Sequence, residues 1–278
     1  MRSSSVFFAV AVAIGASGCG SQGPAYSGVQ DCFVDAPCDT DPSQTCKVPC
    51  EKLPGGPIGH GGGGGSTSTG GAGGGAVDVN GSVVIVSDSA FGATVPYTGP
   101  VHVIAPGADA KTVEADTVNG DFSLTGAASG GQWVLAESSG ASDAPFSTYS
   151  YQDLNGSDLV LPMVPVDVLD DVAIQLNVAS FAADGAQLVV FVTDANGSPL
   201  SGVGVGPLGG ATIGYELSSG QYALNPAETT DLGVAVALNA SVGGEALVDV
   251  PFTYQNNVEK FSLKLAPGTV TFATVAIP

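Results

Sequence analysis

Basic residues are scarce in this chain. Against 26 Asp and Glu, its 278 residues include six Lys and Arg, giving a formal net charge of −20. Nucleic-acid binding needs a basic surface that displaces phosphate counterions, and this composition excludes it. Attraction to anionic lipid surfaces is disfavoured on the same ground. Histidine is almost missing too, with His60 and His102 alone. His60 lies in glycine-rich sequence, so a Ser-His-Asp hydrolase would have to be built on His102. No H-E-x-x-H, nucleophile elbow or phosphate-binding loop occurs. Long apolar runs are absent as well. Val6 to Ala16 is the longest near the start, and a bilayer span takes about 20 apolar residues. The sequence calls for no cofactor, no metal and no catalytic residue.

What remains is acidic, glycine-rich and β-prone, with 41 Gly and charged residues at 12%. The acidity suits a protein kept soluble outside the cell. The start, MRSSSVFFAVAVAIGASGC, has the layout of an export signal: a basic residue, a short apolar run and small residues. Ala16-Ser17-Gly18-Cys19 resembles the lipobox of bacterial lipoproteins. That resemblance implies cleavage before Cys19 and lipid attachment to it. Ala16 stands where leucine is commoner, and Ala16-Ser17-Gly18 also fits an ordinary signal-peptidase site. Cysteine parity bears on the choice. Of five cysteines, Cys32, Cys38, Cys46 and Cys50 cluster and suffice for two disulfides, which leaves Cys19 for another role. The expected location is extracytoplasmic, as a membrane-anchored lipoprotein of the outer membrane or cell surface. The expected partners are the membrane, through the N-terminal lipid, and an envelope protein or polysaccharide, with no nucleic acid.

The chain divides by composition. After a signal segment (1–18) comes a cysteine-rich segment (19–54) with C-x5-C-x7-C-x3-C spacing. It has too little apolar surface for a core, so disulfides would order it. No C-x-x-C knuckle or histidine joins the cluster, which disfavours zinc. Residues 55–76 read as a flexible glycine linker, because nothing apolar offsets the backbone entropy of ordering glycine. Residues 77–162 and 185–278 each show short runs of β-branched and aromatic residues between turns. In the first, the predicted strands are Val83–Val86, Val101–Ala105, Asp121–Thr125, Gln132–Glu137 and Leu159–Leu161. Asn119-Gly120 marks a tight turn, and Trp133 with Leu135 is expected to face the core. In the second, Leu188–Val192, Val203–Val205, Tyr222–Leu224, Val234–Leu238, Ala246–Phe252, Lys260–Leu265 and Thr269–Ile277 are predicted strands. The connector, 163–184, fits a short helix with Asp167 as N-cap, although Val172, Ile174, Leu176 and Val178 also fit a strand.

Val192 to Val205, VTDANGSPLSGVGV, resembles the opening of bacterial immunoglobulin-like and carboxypeptidase-regulatory-like (transthyretin-type) domains. Thr229-Thr230-Asp231-Leu232-Gly233-Val234-Ala235 resembles their later T-D-x-x-G element. Thr117 to Leu124 and Gly130 to Leu135 form a looser copy. The resemblance implies an all-β protein of two small antiparallel β-sandwich domains. They would follow a disordered, disulfide-containing N-terminal region. It transfers no catalytic residue, since such folds serve many roles.

Two further readings concern ligands. Tyr97, Tyr149, Tyr151, Tyr215 and Tyr254 are candidates for stacking on sugar rings, with Tyr149 and Tyr151 on one strand face. Asp153-Leu154-Asn155-Gly156-Ser157-Asp158 and Asp194-Ala195-Asn196 offer oxygen ligands for calcium without EF-hand spacing. Turn chemistry is the competing account of those acids, and packing that of the tyrosines.

Overall fold

Ala186–Val192 is polar only at Gln187, which is the pattern of a strand covered on both faces. In the computed structural model this segment lies inside a ten-stranded sheet, with its neighbours equally apolar. The structure describes residues 75–140, 144–225 and 227–278, together with the strand backbones of 33–38, 41–49 and 57–58.

Two units are present. In the first, β1 (Phe33–Cys38) and β2 (Asp41–Pro49) form an antiparallel hairpin, in which Cys46 stands opposite Ala36 and Cys38 opposite Asp41. Cys19, Cys32 and Cys50 lie outside the described residues, as do the signal segment and His60.

The second unit contains the remaining elements. They begin with β3 (Pro57–Ile58), β4 (Ala76–Val86), β5 (Thr94–Pro96), β6 (Val101–Pro106) and β7 (Thr112–Asp116). Next come β8 (Asp121–Ala128), β9 (Gly130–Ser138), β10 (Thr148–Leu154), β11 (Leu159–Met163) and the helix α1 (Val166–Gln175). The chain then runs through β12 (Gly185–Thr193), β13 (Gly204–Val205), β14 (Thr212–Ser218), β15 (Gln221–Ala223) and β16 (Val234–Ser241). It ends in β17 (Ala246–Tyr254), β18 (Asn257–Leu265) and β19 (Val270–Ala276). The large sheet has the order β15-β14-β16-β12-β19-β10-β9-β6-β7, with β3 also on β19. A second sheet joins β11, β4, β5 and β8, and a third joins β13, β17 and β18.

Three cores follow from this layering. Val189, Phe191, Val236, Val270 and Phe272 point from the large sheet towards α1. Their sequence neighbours Leu188, Val190, Ala235, Ala237, Ala273 and Val275 point the opposite way, onto Val250, Phe252, Phe261, Leu263 and Leu265 of the three-stranded sheet. The third core lies between the β4 sheet and β6 and β9, around Val79, Val83, Val103, Leu124, Val134 and Leu161. On β18 the expected alternation holds: Phe261, Leu263 and Leu265 are buried, while Lys260 and Ser262 are not.

The two β regions, expected as separate antiparallel sandwiches, share the large sheet. Thr148–Ser150 of β10 pair in parallel with Val270–Phe272 of β19, and β12 and β4 also make parallel pairs with β19 and β11. The join is polar. Thr148, Ser150 and Gln152 are buried along β10, where Gln152 Nε2 donates to Ser150 Oγ at 3.2 Å and to the Val160 carbonyl at 3.4 Å. β19, expected to close a sheet, is central, with β12 along its whole length.

The connector contains the helix. Val168, Leu169, Val172 and Ala173 are buried at helical spacing. Asp167 is not its cap: Pro165 is, and Asp167 Oδ1 accepts from the adjacent Val168 N–H. Proline fits there because its missing N–H needs no partner. Asn119 and Gly120 both take positive φ, 55° and 90°, as the tight-turn reading requires.

Candidate functional site

Strand alternation sets the site. Val101, Val103 and Ala105 of β6 and Val134 and Ala136 of β9 face the third core. His102 and Ile104, and Trp133, Leu135 and Glu137, therefore take the opposite face. Trp133 was expected in the core of its own β region. It packs instead against the C-terminal core, together with Tyr151, its direct cross-strand neighbour. Alternation alone gives the pairing of Trp133 with Leu135 on one face but not which face is buried.

Register brings the acids to His102. Its backbone pairs with Asp116 on one side and Glu137 on the other. His102 Nδ1 lies 2.9 Å from Asp116 Oδ1, and Nε2 lies 3.3 Å from Glu114 Oε2. The hydrogen bond to Asp116 raises the imidazole above its ordinary value, burial opposes this, and Glu114 adds to the rise. Both ring nitrogens are thereby committed to carboxylates, so neither is free to take a proton from a serine hydroxyl. Ser138 and Ser139 are near, in an open depression of about 310 Å³ that His102, Asp116, Thr117 and Glu137 also line. The cluster can hold a charged imidazolium. Among the described residues, no group of three or more His, Cys, Asp and Glu side chains could hold a metal ion.

The acidic turns are occupied by their own backbones. Asp194 Oδ1 accepts from Asn196 N–H at 2.8 Å and Ser198 N–H at 2.9 Å, and those donors hold its carboxyl below the ordinary value. Asn155 Oδ1 accepts from Ser157 N–H at 3.1 Å in the same manner. Both are turn-stabilising arrangements.

The tyrosines separate by burial. Tyr149 is 6% exposed and Tyr215 is 3% exposed, so neither offers a face for stacking. The Tyr215 hydroxyl accepts from Val205 N–H at 2.9 Å. Tyr149 sits beneath the third sheet. It is hydrogen-bonded to Glu245, and burial, then that carboxylate, push its hydroxyl well above the ordinary range. Lys264 Nζ lies 5.9 Å from its ring centroid and 2.6 Å from Glu245 Oε1. The lysine in turn holds the Glu245 carboxyl below its usual value. Tyr97, Tyr151 and Tyr254 remain half-buried. Trp133 and Tyr151 form a paired aromatic surface beside Leu135 and Ile104. Sequence reasoning names Tyr151 but assigns Trp133 to the core.

Among the described residues, no helix is long and apolar enough to cross a membrane. No protein-family model matches the chain, and no curated protein matches it. Several solved structures are similar, three of them as follows. The Bacillus anthracis TIE protein is 12% identical at a TM-score of 0.21, covering 72% of this chain and 34% of that one. This chain thus spans about a third of that protein's length. A Streptococcal ancillary pilin is 9% identical at a TM-score of 0.21, covering 72% and 68%. GBS52, the minor pilin of Streptococcus agalactiae, is 12% identical at a TM-score of 0.22, covering 72% and 96%.

Proposed function

We propose that this is a non-enzymatic, lipid-anchored cell-envelope protein whose β-rich body makes structural or adhesive contacts. One observation carries the reading. Cys19 follows three small residues, is the cysteine left over by the cluster, and precedes a glycine-rich stretch that separates it from the folded body. Acyl chains at about 0.8 kcal/mol per buried methylene would hold such a chain firmly to a membrane. The engagement of both His102 nitrogens by carboxylates supports a non-enzymatic role. Replacing Cys19 with alanine tests the anchor: the protein is expected to move from the membrane fraction to the soluble fraction. Retention in the membrane fraction sinks the reading.

A second reading is glycan binding by the body. It rests on the half-buried Trp133 and Tyr151 rings, which lie on the same face as His102 and its acids. A glycan array on which the wild type binds and Trp133→Ala does not would support it. An array without signal removes it.

A further inference from the structure

β19 has a full partner on one side and an incomplete one on the other. β12 pairs with it from Val270 to Ala276. On the opposite side β10 pairs through Ser150 with Phe272 and then departs, continuing beside β9 alone from Tyr151 to Leu154. Had β10 kept its register, Gln152 and Asp153 would stand opposite Thr274 and Val275. Those two positions are taken by Pro57 and Ile58, running parallel to β19. With Pro57 and Ile58 in place, Thr274 and Val275 are 4% and 0% exposed, and buried backbone donors and acceptors need partners.

We propose that the edge of β19 from Ala273 to Ala276 is a strand-docking slot, and that the chain's own Pro57–Ile58 is its occupant. Three features favour the chain's own segment. Gly55, Gly56 and Gly59 flank the pair, and glycine lets a backbone approach a sheet closely. Two residues make a short strand that a split sheet can accept without widening. A glycine-rich chain the length of 59–75 spans about 20–25 Å on average, which limits how far the pair can lie from β4. Such a tether gives a local concentration of order millimolar, so a second copy at micromolar concentration competes about a thousandfold less well. Proline at the first position adds no N–H, so the strand is held by few hydrogen bonds and opens more readily than the rest of the sheet. The slot is independent of the membrane anchor.

Hydrogen exchange read residue by residue along β19 tests this, in the full chain and in a variant carrying Pro57→Gly and Ile58→Gly. Faster exchange in the variant is expected for the Ala273–Ala276 amides that β12 does not engage, by about tenfold or more. The Val270–Phe272 amides should keep their rates, and an added peptide spanning residues 53–60 should restore protection saturably. Equal rates in both proteins overturn the proposal. Loss of protection along all of β19 overturns it also, since the segment is then part of the core and not an occupant of a slot. Protection that rises with protein concentration, together with a dimer on sizing, assigns the slot to a second copy and overturns occupancy by the chain's own segment.

Discussion

The indole of Trp133 meets the ring of Tyr151 edge to face, with centroids 5.3 Å apart and planes at 68°, at directly paired positions of β9 and β10. The pair belongs by sequence to the first β region and by packing to the second, where both rings lean on the C-terminal core. It is therefore a joint between the regions.

Truncating that joint should loosen both regions together. Trp133→Ala is expected to cost about 2 kcal/mol, below the 3–5 kcal/mol of a fully buried tryptophan because the ring is only partly buried. A double-mutant cycle with Tyr151→Ala should return a coupling of about 0.5–1.5 kcal/mol, the range for edge-to-face pairs. Urea denaturation followed by far-UV circular dichroism measures both. Strictly additive effects would show that the rings pack side by side without acting on each other.

His102 makes a pH-dependent contribution whose sign follows from its raised pKa. The folded state binds the proton more tightly than the unfolded chain, whose histidine titrates near 6.5. The stabilisation is complete below that value and is lost as pH rises through the higher folded pKa. With 34% of the side chain exposed, solvent screening keeps the effect small. The melting temperature of the wild type relative to His102→Gln should fall between pH 6 and pH 8. A constant difference over that window refutes the assignment.

Glu216 points the other way in chemistry and the same way in sign. Its carboxyl is 2% exposed, and one oxygen accepts from Gly220 N–H at 2.6 Å, closing the turn between β14 and β15. Burial raises its pKa, the Gly220 amide opposes this, and Asp88 adds to the rise. The folded state therefore favours the protonated acid, and the contribution declines as pH rises past the folded value. Glu216→Gln keeps the acceptor oxygen without the charge. It should leave stability unchanged at low pH and raise it at neutral pH, by thermal denaturation at pH 4 and pH 7.

Two turn glycines should respond differently to alanine. Gly120 (φ 90°) has no room for a methyl group, since a Cβ would collide with the Tyr97 carbonyl oxygen. Gly197 (φ 82°) faces open space. Gly197→Ala should cost about 1 kcal/mol for the left-handed backbone alone. Gly120→Ala adds the collision and should cost about 2 kcal/mol or more. Equal denaturation midpoints for the two variants would show that the Tyr97 contact gives way freely.

Local chemistry was legible along the chain. Asn119-Gly120 read as a turn with positive φ because so few residues adopt that conformation. The spacing of Leu169, Val172, Ala173 and Leu176 gave the helix, and the alternation of β18 gave its buried face. β7, with its sequence Thr-Val-Glu-Ala-Asp, escaped notice. It is an edge strand whose outward acids hide the alternation, and those acids are the ones that meet His102.

By itself the sequence determined an acidic, β-rich chain with an export-like start, and it located the middle of most strands but not their ends. Period-2 patterning and turn residues act within a few positions, so they are written locally. Only the tertiary structure decided which face of β9 is buried, that β19 is central, and that β10 joins two β regions through three parallel pairs. Those are choices of partner. A strand's hydrogen-bonding edges are the same whatever its side chains, so a partner far along the chain is selected by packing across layers and not by local pattern.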